Sequence, residues 1–140
     1  MGLTKTNKNM RSKSLEQLES NFWGPPEFPS ELVKNCHKYR KIPIKDLTTE
    51  QLRLLISQSI GVDHLITLGI EKLELNVLEE GDFYPGDLLN AISTLSAEFW
   101  DTHQVEFQDL KRIVSRNSDL IKNEFGVRGF DKLKDRLGMP

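Results

Sequence analysis

The chain has 140 residues, 37% of them hydrophobic and 29% charged, with 19 Lys and Arg against 21 Asp and Glu for a formal net charge of -2. That suffices for one ordinary core; it is too apolar for a disordered acidic tail and too balanced for a wholesale nucleic-acid binder, whose basic excess must offset many phosphates. A single cysteine, Cys36, excludes an intrachain disulfide and gives no sign of a stapled secreted scaffold. No apolar stretch follows the basic first residues and the longest aliphatic run is Leu54-Leu55-Ile56, so neither a signal peptide nor a membrane span is expected, and the expected compartment is the cytoplasm.

Residues 1–13 are polar, basic and without periodicity, which predicts a flexible N-terminal arm ahead of a single helical domain over 14–140. Ser14 with Gln17 three residues on matches a capping box before Leu15 and Leu18. The prolines 25, 26 and 29 then hold residues 21–29 extended, with Phe22, Trp23 and Phe28 packing this ribbon onto the domain or entering a partner pocket. Ser30 can cap a helix carrying Leu32, Val33, Cys36 and Tyr39 inward until Pro43. Thr48 with Gln51 repeats the capping box, and Leu52, Leu55, Ile56 and Ile60 line one face up to Gly61, a left-handed stop.

Val62 to about Leu78 has so wide an apolar arc that it reads as a central helix, although Leu73-Glu74-Leu75-Asn76-Val77 also alternates as a short strand does. An acidic, aromatic loop, Glu79 to Tyr84, follows, and Pro85 suits the first position of a helix carrying Leu88, Leu89, Ile92, Leu95 and Phe99. From about His103 a longer helix turns Phe107, Leu110, Val114, Ile121 and Phe125 inward and ends at Gly126. A last short one groups Phe130, Leu133 and Leu137. The predicted fold class is all-α: a compact single-domain bundle of about seven helices with at most one short strand.

The charge is unevenly spread. Residues 1–13 carry +4, residues 14–45 carry +1, residues 46–110 carry -11 and residues 111–140 carry +4. The acidic middle is either an ordinary solvated surface or a face built to meet a basic partner.

Reaction chemistry is hard to assemble from these residues. His37, His64 and His103 stand at no shared helical spacing, and His37 next to Cys36 diverges from it by about 100° on a helix, a poor nucleophile pair. Cys36 lies on an apolar stripe and reads as a small buried hydrophobe. His64 beside Asp63 fits a solvated first turn. Glu79, Glu80, Asp82 and Asp87 have the oxygens a hard cation needs but not the spacing of a calcium loop. No phosphate-cradling glycine run and no nucleophile elbow is present. No catalytic residue, metal, cofactor or small-molecule substrate is therefore expected, and no enzymatic activity.

Six stretches, read together, resemble a known family. They are Ser14 to Glu19, Phe22-Trp23-Gly24-Pro25-Pro26, Phe28-Pro29-Ser30, Leu47 to Ile56, Ile60-Gly61, and above all Gly81-Asp82-Phe83-Tyr84-Pro85-Gly86-Asp87-Leu88-Leu89. In this order they are similar to the immunity proteins of contact-dependent growth inhibition systems, over about residues 14–95. The resemblance implies a cytosolic bacterial protein, without catalysis of its own, that binds the toxic C-terminal domain of a cognate exported protein and neutralises it. Such toxins are often nucleases with basic clefts, which the acidic block would suit.

The expected partner-binding residues are Glu71, Glu74, Glu79, Glu80, Asp82, Phe83, Tyr84, Asp87, Glu98 and Asp101. Two arrangements of them stay open. In one, Phe83 or Tyr84 is an aromatic anchor ringed by Glu79, Glu80, Asp82 and Asp87. In the other, Phe83 and Tyr84 are core, and Glu71, Glu74, Glu98 and Asp101 form the contact face. A function of a different class, a nucleic-acid-associated regulator, would use the basic ends: Lys5, Lys8, Arg11 and Lys13 with Lys111, Arg112, Arg116, Lys122 and Arg128. The acidic middle would repel that ligand, so direct nucleic-acid contact is not expected.

Overall fold

The computed structural model describes residues 8–27 and 30–140, and within them the fold is all-α. The helices are α1 (Leu15–Glu19), α2 (Glu31–Tyr39), α3 (Thr49–Ser57), α4 (Val62–Leu75), α5 (Asp87–Ser93), α6 (Ala97–Asp101), α7 (Gln104–Arg116) and α8 (Ser118–Arg136), with short 3-10 turns at Lys8–Ser12 and Ile44–Asp46. Both capping boxes form: the Ser14 and Thr48 hydroxyls accept the N–H groups of Gln17 and Gln51, whose side chains accept the cap N–H groups in return. Ser30 caps α2 through the Val33 N–H.

The core is built where the apolar stripes converge. α3 packs most extensively on α5, and α4 on α7. Leu52, Leu55 and Ile56 meet Leu65, Ile66, Ile70 and Leu73 of α4, Leu88, Leu89 and Ile92 of α5, and Leu110, Ile113 and Val114 of α7, all of them buried. Each such side chain contributes about 1.5–3 kcal/mol by leaving water. Gly61 is left-handed (φ 63), as its position suggested, but it begins α4 instead of ending α3. It is also pressed so closely by Leu15 that a Cβ there would lie 2.6 Å from that side chain.

Several boundaries differ from the sequence reading. The alternation at Leu73–Val77 is not a strand: α4 continues through Leu75, which is 90% exposed while Leu73 and Val77 are buried, and a strand would have put all three on one face. Pro85 lies in a turn, and α5 starts at Asp87 behind a left-handed Gly86. The segment from Leu88 to Phe99 is two helices, because Ser96 captures the Phe99 N–H and starts α6 afresh. The long C-terminal helix breaks at Asn117, whose side-chain amide donates to the Ile113 carbonyl at 2.8 Å and competes with the helical ladder. Gly126 (φ 78, ψ 165), by contrast, leaves helical geometry where the sequence reading ended a helix, so α8 is two helices that meet there at a kink, the second running to Arg136.

Of the expected N-terminal arm, residues 1–7 lie outside the described residues, while Lys8–Ser12 form a 3-10 turn from which Arg11 reaches Glu71 with two hydrogen bonds of 3.0 and 2.7 Å. In the ribbon, Trp23 packs edge-on against His37 at 4.8 Å and beneath the buried Arg40 guanidinium at 4.1 Å. Arg40 in turn donates to Glu19 at 2.7 Å and to the Asn21 carbonyl at 3.0 Å. Phe22 is exposed instead of packed, and Phe28 lies outside the described residues.

Candidate partner-binding loop

The connection between α4 and α5 is short, and most of its backbone donors are matched. Asn76 opens it, accepting the Leu78 N–H on its side chain and the Glu79 N–H on its carbonyl. The Leu78 carbonyl accepts the Gly86 N–H at 3.0 Å and closes it. Between these points Asp87, 3% exposed, turns its carboxylate under the loop and accepts the Gly81 N–H at 2.7 Å and the Phe83 N–H at 3.1 Å. Glu50 of α3 accepts the Asp82 N–H at 2.9 Å from the other side. Gly86 (φ 88) completes the turn where no side chain fits, since a Cβ would lie 2.6 Å from Phe125.

Glu50 is itself held by Arg53, which donates through Nε at 2.7 Å and Nη2 at 2.6 Å. The Arg53 hydrogen bonds keep the Glu50 carboxyl below the usual carboxylate range, and Glu50 raises the Arg53 guanidinium reciprocally. Arg53 lies 4.7 Å from the centre of the Phe83 ring. Phe83 is nonetheless 67% exposed, and Tyr84 is 41% exposed with its hydroxyl accepting from Asn90 at 2.6 Å and its ring edge-on to Phe125. A groove of about 360 Å³ runs between Phe83, Tyr84, Arg53 and Asn90.

The ten expected contact residues are thus separated into distinct environments. Glu80 and Asp82 are exposed beside Phe83, and Glu79 is half-buried and accepts the Thr49 hydroxyl at 2.7 Å. Asp87 faces inward as a loop-former and presents no charge to solvent. Glu74 is clasped by Arg112 at 2.6 Å and by Arg116, which hold its carboxyl below the usual range, and Glu71 is engaged by Arg11. Glu98 and Asp101 stand exposed on α6, at the other end of α4: that end carries Asp63, 3.1 Å from His103, about 16 Å along the helix from Glu74 at 1.5 Å per residue. Glu71 and Glu74 therefore do not share a face with Glu98 and Asp101, and Phe83 and Tyr84 are not core.

The acidic middle is also partly compensated in space, because Arg11, Arg112 and Arg116 come from the basic ends to meet it. Those three bases are correspondingly occupied. Cys36 is buried, and burial pushes its thiol up. Among the described residues no group of His, Cys, Asp and Glu is placed to hold a metal ion, and no helix is long and apolar enough to cross a membrane.

Sequence reasoning missed Glu50 and Arg53 as the support of the loop. Their i, i+3 spacing on α3 was a readable sign of a pair, but nothing local indicated that the loop thirty residues on would rest on it.

The α4–α5 loop is thus fixed from two sides and carries a solvent-facing phenylalanine over an all-helical core. The chain belongs to the family described as CDI immunity proteins, whose sequence model matches residues 16–110. No curated protein and no solved structure matches the chain.

Proposed function

We propose that this protein neutralises the toxic C-terminal domain of a cognate exported protein by binding it, and that the α4–α5 loop is the docking site. The observation that carries the reading is Phe83: a large aromatic side chain two-thirds exposed on a loop whose backbone is immobilised by Asp87 and Glu50. A fixed loop loses little freedom on binding, so more of the contact energy of an aromatic anchor appears as affinity. Glu80 and Asp82 flank it with no base of the described residues at ion-pair distance, although the Asp82 charge is felt by Arg53, and Glu79 lies beside them; such a surround favours encounter with a basic surface. The toxin that suits it is a nuclease, whose phosphate-binding cleft is basic.

On this reading the protein acts by occupying or flanking the toxin's cleft in the cytoplasm and performs no catalysis. Residues 14–140 act as one unit, and nucleic acid is not a direct ligand, since Arg11, Arg112 and Arg116 are engaged by carboxylates. Co-expression tests it. Cells producing the toxin domain encoded immediately upstream should grow when this protein is present and stop when it is absent, and the purified pair should co-elute. Growth arrest unaffected by the protein would refute the reading.

A further inference from the structure

Tyr84 has a second side. Beyond it, between α5 and the last turns of α8, lies a groove of about 190 Å³ lined by Tyr84, Asn90, Phe125, Lys132, Leu133 and Arg136. No carboxylate is among its lining residues, and no carboxylate of the described residues lies within ion-pair distance of Lys132 or Arg136. The two bases stand four residues apart on α8, one helical turn, and so face the same side. Arg136 is already oriented: its Nη1 donates to the Asn90 side-chain oxygen at 2.7 Å and to the Ser93 hydroxyl at 3.2 Å, both neutral acceptors. Nη2 and Nε have no acceptor among the described residues. A guanidinium held at one nitrogen with its remaining donors free is arranged for a carboxylate, which it can meet bidentately.

The groove adjoins the Phe83 groove, since Tyr84 and Asn90 line both. Its charge is opposite to that of the loop: the exposed Glu80 and Asp82 immediately precede Phe83 in the chain, whereas Lys132 and Arg136 line the groove beyond Tyr84. From this we infer that the docking surface is bipolar, and that the α5–α8 groove receives an Asp or Glu side chain from the surface of the toxin domain while the acidic loop meets its basic side. The inference rests on the toxin-binding reading above. Two poles of opposite sign fix the orientation of a partner in a way that a uniform acidic face cannot, because a partner turned end for end meets like charges. The positive pole comes from a part of the chain beyond the family match at residues 16–110, so it would also distinguish this protein's toxin from those of its relatives.

The experiment uses the full chain and the upstream-encoded toxin domain carrying an inactivating substitution, with affinity measured at low and at physiological salt. Lys132→Glu together with Arg136→Glu should weaken binding by at least about tenfold, with a smaller salt dependence of the association rate, while Lys132→Arg stays within about twofold of wild type. Arg136 braces Asn90 and Ser93, so the double variant could unfold; Lys132 makes no hydrogen bond with the described residues, and Lys132→Glu alone should still weaken binding by about threefold or more with an unchanged circular dichroism spectrum. Wild-type affinity in folded Lys132→Glu would overturn the groove while leaving toxin binding intact. A wild-type protein that fails to bind the toxin domain would overturn the underlying reading instead. Binding of a mixed-sequence RNA oligonucleotide that is lost in Lys132→Glu would show that the groove takes phosphates, and would also overturn it.

Discussion

Asp87 separates a loop-forming role from a surface role. Substituting alanine removes both oxygens that accept the Gly81 and Phe83 N–H groups at 2.7 and 3.1 Å. Hydrogen bonds to a charged group are worth about 1.5–3 kcal/mol each. Two of them set an upper figure of about 3–6 kcal/mol, and because Phe83 is exposed its freed N–H can reach water, which brings the expected loss to about 2–4 kcal/mol. For a chain of 140 residues that corresponds to a melting temperature lower by roughly 7–14 °C. Asp82→Ala is the control: its side chain is exposed, so stability should stay within about 0.5 kcal/mol of wild type. Urea unfolding followed by far-UV circular dichroism measures both. An Asp87→Ala protein as stable as Asp82→Ala would refute the claim that this carboxylate organises the loop, and would return Asp87 to the surface acids.

Gly86→Ala should cost at least about 2 kcal/mol in the same assay, from the left-handed backbone and the collision with Phe125, whereas Gly24→Ala, where nothing lies within 4 Å, should be nearly neutral. Glu50 and Glu74 have carboxyls depressed by their arginines, so their contribution is fully present above the unfolded value of about 4.3 and is lost as pH falls through their lower folded values. Melts at pH 7 and pH 5 should therefore agree for these two groups and fall below pH 4, with a shallower fall in Glu74→Gln. Cys36, buried and with its thiol pushed up, should react with a thiol reagent at neutral pH only once denaturant is added; rapid labelling of the native protein would contradict its burial.

The helices were legible where a local signal was sufficient. Ser14 with Gln17 and Thr48 with Gln51 carry their own hydrogen-bond partners within four residues, and both starts fell where the sequence put them. The stops were less legible because they depend on competition. Ser96 and Asn117 interrupt helices whose apolar spacing continues past them, and periodicity alone does not register a side chain that captures a backbone group. At the loop, composition suggested a ring of charge that the structure forms only in part. Four acids suggested a charged rim, yet Asp87 is spent internally and Glu79 is tied to Thr49, leaving Glu80 and Asp82. The charge count along the chain also overstated the acidic face, since the bases that meet Glu71 and Glu74 are about 40 to 60 residues away in sequence. The basic groove was invisible for the same reason: Lys132 and Arg136 acquire meaning only when α8 is laid beside Asn90 and Tyr84.

The most direct test of toxin docking through the α4–α5 loop is the dissociation constant of the purified protein for the inactivated toxin domain, compared with that of Phe83→Ala. Phe83 is exposed and outside the core, so the substitution should leave the melting curve unchanged. Loss of a central aromatic anchor costs about 2 kcal/mol or more, which raises the dissociation constant by about thirtyfold. A Phe83→Ala protein that melts as wild type and binds the toxin domain with wild-type affinity would contradict the account.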